Sequence, residues 1–155
     1  MLRFEPLPAD APPASDLLAA MVAEMTTLYG PIDAPGMPSA KPADFAPPHG
    51  TFIVGFDGDG SPMCGGGVKR LGDGAAEIKR MYVVPAARGR GHARALLRAL
   101  EDAARGLGYS TVRLDTGPQQ AHAQAMYEAA GYRRIGNFNA NPVASFWGEK
   151  QLGPA

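Results

Sequence analysis

The stretch Arg88-Gly89-Arg90-Gly91-His92-Ala93 stands between an apolar run, Met81-Tyr82-Val83-Val84, and a leucine-rich segment, Ala95-Leu96-Leu97-Arg98-Ala99-Leu100. This order reads as strand, Gly-rich turn and helix start, so the chain is expected to mix strands and helices around one such junction. Glycine takes positive φ at no steric cost and lets the backbone reverse sharply there. The first N–H groups of the helix that follows have no partner inside it and point outward. Such a turn is a seat for an anion, with phosphate or pyrophosphate as the expected ligand.

The rest of the chain is compatible with a compact α/β domain. Leu2 to Glu5 reads as a short strand, followed by a Pro-rich link. A helix begins at Ser15, capped by Ser15 or Asp16, and its apolar positions Leu17, Leu18, Met21, Met25 and Leu28 keep helical spacing as far as Tyr29-Gly30. Gly30 to Gly50 holds six prolines and reads as a long loop with one helical turn near Ala43-Asp44-Phe45. Thr51–Phe56, Met63–Arg70 and Ala75–Val83, separated by Asp57-Gly58-Asp59-Gly60 and Leu71-Gly72-Asp73-Gly74, read as an antiparallel meander. The helix after the glycine turn runs to Gly106–Gly108, Tyr109–Thr116 is a further strand, and Gln119–Ala130 a third helix closed by Gly131. Arg133–Phe138 and Ala144–Leu152 are expected as terminal strands.

Composition narrows the function classes. With 155 residues, one domain spanning 1–155 is expected. The 15 Lys and Arg balance the 15 Asp and Glu, so no global charge draws the protein to nucleic acid or to an anionic membrane. Cys64 is the single cysteine, and His49, His92 and His122 lie far apart, so neither a disulfide framework nor a metal site is expected. No apolar run nears the roughly 20 residues of a membrane span, and the start lacks a signal-peptide pattern. A cytoplasmic protein is the expectation, and the abundance of Gly, Pro and Ala fits a high-GC bacterial coding sequence.

The glycine turn excludes two common phosphate sites by its own residues. A dinucleotide fingerprint needs Gly or Ala at the sixth position from Gly89, which is Arg94. A Walker loop needs Gly-Lys-Ser/Thr, and no such triplet occurs. Between Ile78 and Leu100 lie Lys79, Arg80, Arg88, Arg90, Arg94 and Arg98, without an acidic residue. Arg98 reads as a solvated helix-face residue that pairs with Asp102, and Arg88, Arg90 and Arg94 as phosphate contacts.

Arg88-x-x-Gly91-x-Ala93, with Val83-x-Pro85 ahead of it, resembles the Arg/Gln-x-x-Gly-x-Gly/Ala motif of the GNAT superfamily of N-acetyltransferases. Ala125-Met126-Tyr127-Glu128-Ala129-Ala130-Gly131-Tyr132 is similar to the family's Leu-Tyr-x-x-x-Gly-Phe/Tyr signature. The resemblance implies a mixed, mostly antiparallel sheet of six to seven strands with a splayed central pair, flanked by about four helices. It implies acetyl-CoA as co-substrate, held at its pyrophosphate by the turn, here Arg88, Gly89, Arg90, Gly91, His92 and Ala93, with Arg94 close by. Main-chain groups of Met81, Tyr82 and Val83 would meet the pantetheine arm and help polarise the thioester. Gln120 lies where many members carry a cofactor-touching Asn. Tyr127 resembles the family's general acid, and a phenol with a pKa near ~10 keeps its proton at neutral pH. Glu77, eleven residues before Arg88, resembles the general base of the histone-acetylating branch, with a cross-strand partnership to Lys79 or Arg70 as the alternative. A covalent route through Cys64 is the weaker reading, since its apolar strand fits a buried thiol.

The acceptor is expected over the meander, walled by the first helix, the 30–50 loop and Asn137–Pro142. Strand alternation puts Glu77, Lys79 and Met81 on one face and Ile78, Arg80 and Tyr82 on the other, so Lys79 or Arg80 would meet a substrate carboxylate. The leading expectation is acetylation of a small-molecule amine, an amino acid or related metabolite. Protein lysine or N-terminal acetylation and a non-catalytic acetyl-CoA sensor are the rivals, and a homodimer is left open.

Overall fold

The computed structural model describes residues 1–31, 37 and 39–153. One seven-stranded sheet runs through them: β1 (Arg3–Pro6), β2 (Thr51–Phe56), β3 (Pro62–Gly72), β4 (Ala75–Val83), β5 (Thr111–Thr116), β6 (Arg133–Arg134) and β7 (Phe146–Gln151). Their order is β1-β2-β3-β4-β5-β7-β6, with every neighbour antiparallel except β4 and β5. Three α-helices flank it: α1 (Ala14–Tyr29), α2 (His92–Gly106) and α3 (Ala121–Ala129), with short 3₁₀ turns at 42–45, 85–87 and 118–120. The meander and the splayed sheet expected from the sequence are present.

Period-two patterning divides the core between the two faces. In β2, Phe52, Val54 and Phe56 join Leu17 and Met21 of α1, while Ile53 joins Leu96, Leu97 and Leu100 of α2 on the opposite side. β5 sends Val112 and Leu114 to the α2 side as well. The three α2 leucines are fully buried, each worth about 1.5–3 kcal/mol of transfer free energy. The glycines of β3 let both layers approach. A Cβ on Gly67 would lie 2.4 Å from the Phe45 ring, and one on Gly66 2.8 Å from Leu100.

Two irregularities of β4 shape the rest of the molecule. Its parallel ladder with β5 covers only Ala75–Glu77 against Thr111–Arg113, after which the two strands part. Arg80 adopts φ 60°, and the β3 register slips there, Gly67 facing Lys79 while Gly65 faces Tyr82. This bulge adds one residue and reverses the alternation beyond it. Met81 therefore packs with Ile78 toward α2, and Tyr82 lies in the α1 layer, contrary to the simple alternation expected from the sequence.

Other departures have local causes. α1 starts at Ala14 without a side-chain cap, and a 3₁₀ turn at Pro118–Gln120 delays α3 to Ala121. The expected strand from Arg133 ends at Arg134. Beyond it, Asn137, Asn139 and Asn141 each accept the N–H two residues on, at 3.2, 3.2 and 3.1 Å, and these turns replace a strand ladder. The segment 135–145 becomes a strap between β6 and β7. Asp102, expected to pair with Arg98, is held instead by Arg105 at 2.7 Å.

Candidate active site

Two volumes occupy the gap opened by β4 and β5. A groove of about 770 Å³ runs between α1, the end of β4, the start of α2 and α3, and its wall includes Met81, Tyr82, Val83, Arg88, Gly89, Gly91, His92, Ala93, Arg94 and Gln120. A smaller cavity of about 140 Å³ is lined by Met21, Met25 and Tyr29 of α1, by Lys79, Arg80 and Met81, by Asp115 and by Asn141 and Val143 of the strap. Met25, Met81, Gln120 and Tyr127 line both, so the two volumes meet there.

At the groove's far end the glycine turn presents bare main chain. Gly89 and Gly91 both hold φ 80°, and Gly91 is the N-cap of α2. Arg88 N–H is used by Pro85 O at 3.3 Å and Ala95 N–H by Gly91 O at 3.2 Å. Between them, the amides of Gly89 to Arg94 meet no acceptor among the described residues. An array of free amides at a helix start is a fixed positive site, and it fits a pyrophosphate.

Arg88 departs from its expected part. Its amide is occupied, and its guanidinium donates to Val83 O at 2.9 Å and to both oxygens of Glu24 at 2.8 and 3.0 Å, lying over the Tyr82 ring at 5.5 Å. A carboxylate within reach claims it, so Arg88 ties α1 to the end of β4. Arg94 stays on the groove wall, whereas the exposed side chain of Arg90 lies off it.

Tyr127 stands at the junction, 7% exposed, and its hydroxyl donates to Met81 Sδ at 3.6 Å. Burial first, and the charge of Asp115 second, push its phenol above the usual range, which keeps it protonated. Gln120 Oε1 accepts from Tyr29 and from Thr116, each at 3.3 Å, while the Tyr29 hydroxyl accepts Gln119 N–H at 3.0 Å. This knits the end of α1 to the turn before α3.

Glu77 lies deeper than expected. It is 2% exposed, its Oε2 accepts from Asn139 Nδ2 at 3.0 Å and from Lys79 Nζ at 3.5 Å, and it is not on the cavity wall. Burial raises its pKa, and Lys79 and Asn139 pull it back in part. Among the described residues, the carboxylate that does line the cavity is Asp115, which sequence reasoning missed. Its signal was present: Val112 and Leu114 face the core, which places Arg113 and Asp115 on the other face, in the strand leading to the helix of Tyr127.

The profile of the acetyltransferase (GNAT) family matches residues 18–132, more than half of the chain. The chain belongs to this family. An IAA acetyltransferase of Azospirillum brasilense is 42% identical over 82 residues, covering 51% of this chain and 53% of its own. The N-alpha-acetyltransferase RimI of Mycobacterium tuberculosis is 37% identical over 108 residues, covering 67% of this chain and 65% of its own. The chain thus spans about half to two thirds of the length of these relatives. The phosphinothricin acetyltransferase Pat of Sinorhizobium meliloti, solved in complex with AcCoA, matches in fold with a TM-score of 0.69 over 98% of this chain and 89% of its own, at 18% identity.

Within this GNAT fold, Cys64 is fully buried on the α2 side, and burial pushes its thiol up to about 11, which leaves almost no thiolate at neutral pH. Among the described residues no helix is long and apolar enough to cross a membrane, and no three His, Cys, Asp or Glu are grouped as metal ligands.

Proposed function

We propose that the protein is an N-acetyltransferase that moves the acetyl group of acetyl-CoA to a primary amine of a small molecule, an amino acid or related metabolite, by direct attack in a ternary complex. The observation that carries this is the meeting of a long groove, ending in free amides, with a small cavity at Tyr127. Acetyl-CoA supplies an activated thioester, and every other part falls to the chain. Amides from Gly89 to Arg94 hold the pyrophosphate, and main-chain groups of Met81, Tyr82 and Val83 align the pantetheine arm. Tyr127 gives a proton to the departing sulfur, a role its raised pKa suits because the phenol stays a donor. Lys79 and Arg80 on the cavity wall suit an acceptor with a carboxylate.

The size of the cavity supports a small acceptor, and residues 1–155 are taken as one cytoplasmic catalytic domain. Acetylation of a protein N-terminus is the second reading, favoured by the likeness to an N-alpha-acetyltransferase. Acetyl-CoA turnover measured over a panel of amino acids, small amines and peptides separates the two. Turnover on small amines is expected; activity confined to peptides, or binding of acetyl-CoA without any turnover, contradicts the proposal.

A further inference from the structure

Acetyl transfer needs the acceptor as a free amine, whereas an alkyl ammonium at neutral pH carries a proton that must be removed. Among the described residues two carboxylates lie near the cavity, Glu77 and Asp115, and they differ in access. Glu77 is sealed under Lys79 and Asn139, while Asp115 lines the cavity together with Tyr127 and Met81. The strap holds Asp115 from above: Asn139 Nδ2 donates to its Oδ2 at 2.7 Å and Asn141 Nδ2 to the same oxygen at 3.0 Å. Asn139 Nδ2 also donates to Glu77, so one carboxamide bridges both carboxylates. Its own Oδ1 accepts from Trp147 Nε1 at 3.2 Å and from Asn141 N–H, which fixes the amide's orientation. Among the described residues Oδ1 of Asp115 accepts no hydrogen bond, and an acceptor in the cavity can use it.

We infer, resting on the acetyl-transfer reading, that Asp115 takes the proton of the acceptor ammonium and that Asn139 is the positioning residue that aims it. The ammonium N–H bond breaks and its proton passes to Asp115. The nitrogen lone pair then bonds to the acetyl carbon while the C–S bond breaks. The sulfur leaves with the Tyr127 proton, the phenolate regains one from the nitrogen that becomes the amide, and Asp115 releases its proton to water. Amide, CoA thiol and one proton balance the reactants.

Among the described residues, the charged and titratable groups around Asp115 are Glu77, Lys79 and Arg80 on β4, Arg113 on its own strand with its ion-pair partner Glu149 on β7, Tyr127 on α3 and Tyr29 on α1; the described part of the strap contributes amides. Asn139→Ala removes the amide that donates to Asp115 and to Glu77, so the Asp115 carboxylate loses the contact that aims it.

The test uses the full chain, acetyl-CoA and the best amine of the panel, with acetyl-CoA affinity and melting temperature as folding controls. Asp115→Asn, nearly isosteric, is expected to lower kcat/KM at pH 7.5 about 10²-fold or more, in the range of general-base catalysis. Its rate should rise about tenfold per pH unit and approach wild type near the pKa of the amine, where the solution supplies the free base. Asn139→Ala should lower kcat with the acetyl-CoA KM unchanged. Asp115→Asn retaining wild-type kcat/KM at pH 7.5, or Glu77→Gln alone abolishing turnover, overturns the inference. Absence of turnover by wild type on every amine overturns both this and the reading beneath it.

Discussion

The two ends of the site are built in opposite ways. The proposed donor end is a contiguous run of backbone: two glycines in the left-handed region and the free amides from Gly89 to Arg94. The proposed acceptor end is made of side chains from α1, β4, β5 and the strap, brought together across most of the chain. A backbone site can be read from a short motif, because the residues that bend it are adjacent. A side-chain site depends on the register of strands and on loops that hold few regular elements.

The largest expected effect lies where the two ends meet. Tyr127→Phe should lower kcat by about 10²- to 10⁴-fold while acetyl-CoA affinity, measured by calorimetry, stays the same. Loss of affinity together with rate would place Tyr127 on the donor side only. In the wild type, the raised pKa of the phenol predicts that kcat shows no alkaline loss from Tyr127 up to about pH 10, the unperturbed value, since the proton leaves only above it.

The donor end should respond to backbone geometry alone. Gly91→Val forces a β-branched residue to φ 80°, a strain of about 1–3 kcal/mol, and should weaken acetyl-CoA binding about tenfold or more while leaving the acceptor KM within twofold. A change in the acceptor KM of similar size would erase the distinction between the two ends. Gly67→Ala should lower stability by about 1–3 kcal/mol in urea melts, because its Cβ would meet the Phe45 ring at 2.4 Å. The smallest effect is expected for Glu24→Gln. Its pair with Arg88 is partly exposed and worth at most about 1 kcal/mol, so the melting temperature should barely move. Acetyl-CoA affinity should rise slightly as a negative charge leaves the groove.

Legibility followed the same division. β2 and β4 matched their expected limits residue for residue, since alternating apolar runs between Gly-Asp turns admit one solution. The strap was hidden because its asparagines carry turn chemistry that only becomes a structure when Trp147, Glu77 and Asp115 are placed around it. The bulge at Arg80 has no propensity signal, since a β-bulge with positive φ at an arginine is imposed by the surrounding sheet, and it exchanged the faces expected for Met81 and Tyr82. Arg88 illustrates a third limit. A cation beside an anion site looks like a ligand until a distant carboxylate, here Glu24 on α1, is folded against it.

The central claim is that acetyl transfer occurs where groove and cavity join at Tyr127. A crystal structure with acetyl-CoA tests it most directly. The account predicts the pyrophosphate on the amides of Gly89 to Arg94, the thioester sulfur within hydrogen-bond reach of Tyr127 Oη, and the acetyl carbon open to the cavity that Asp115 lines. A thioester lying beyond reach of Tyr127, with its acetyl group turned away from that cavity, would contradict it.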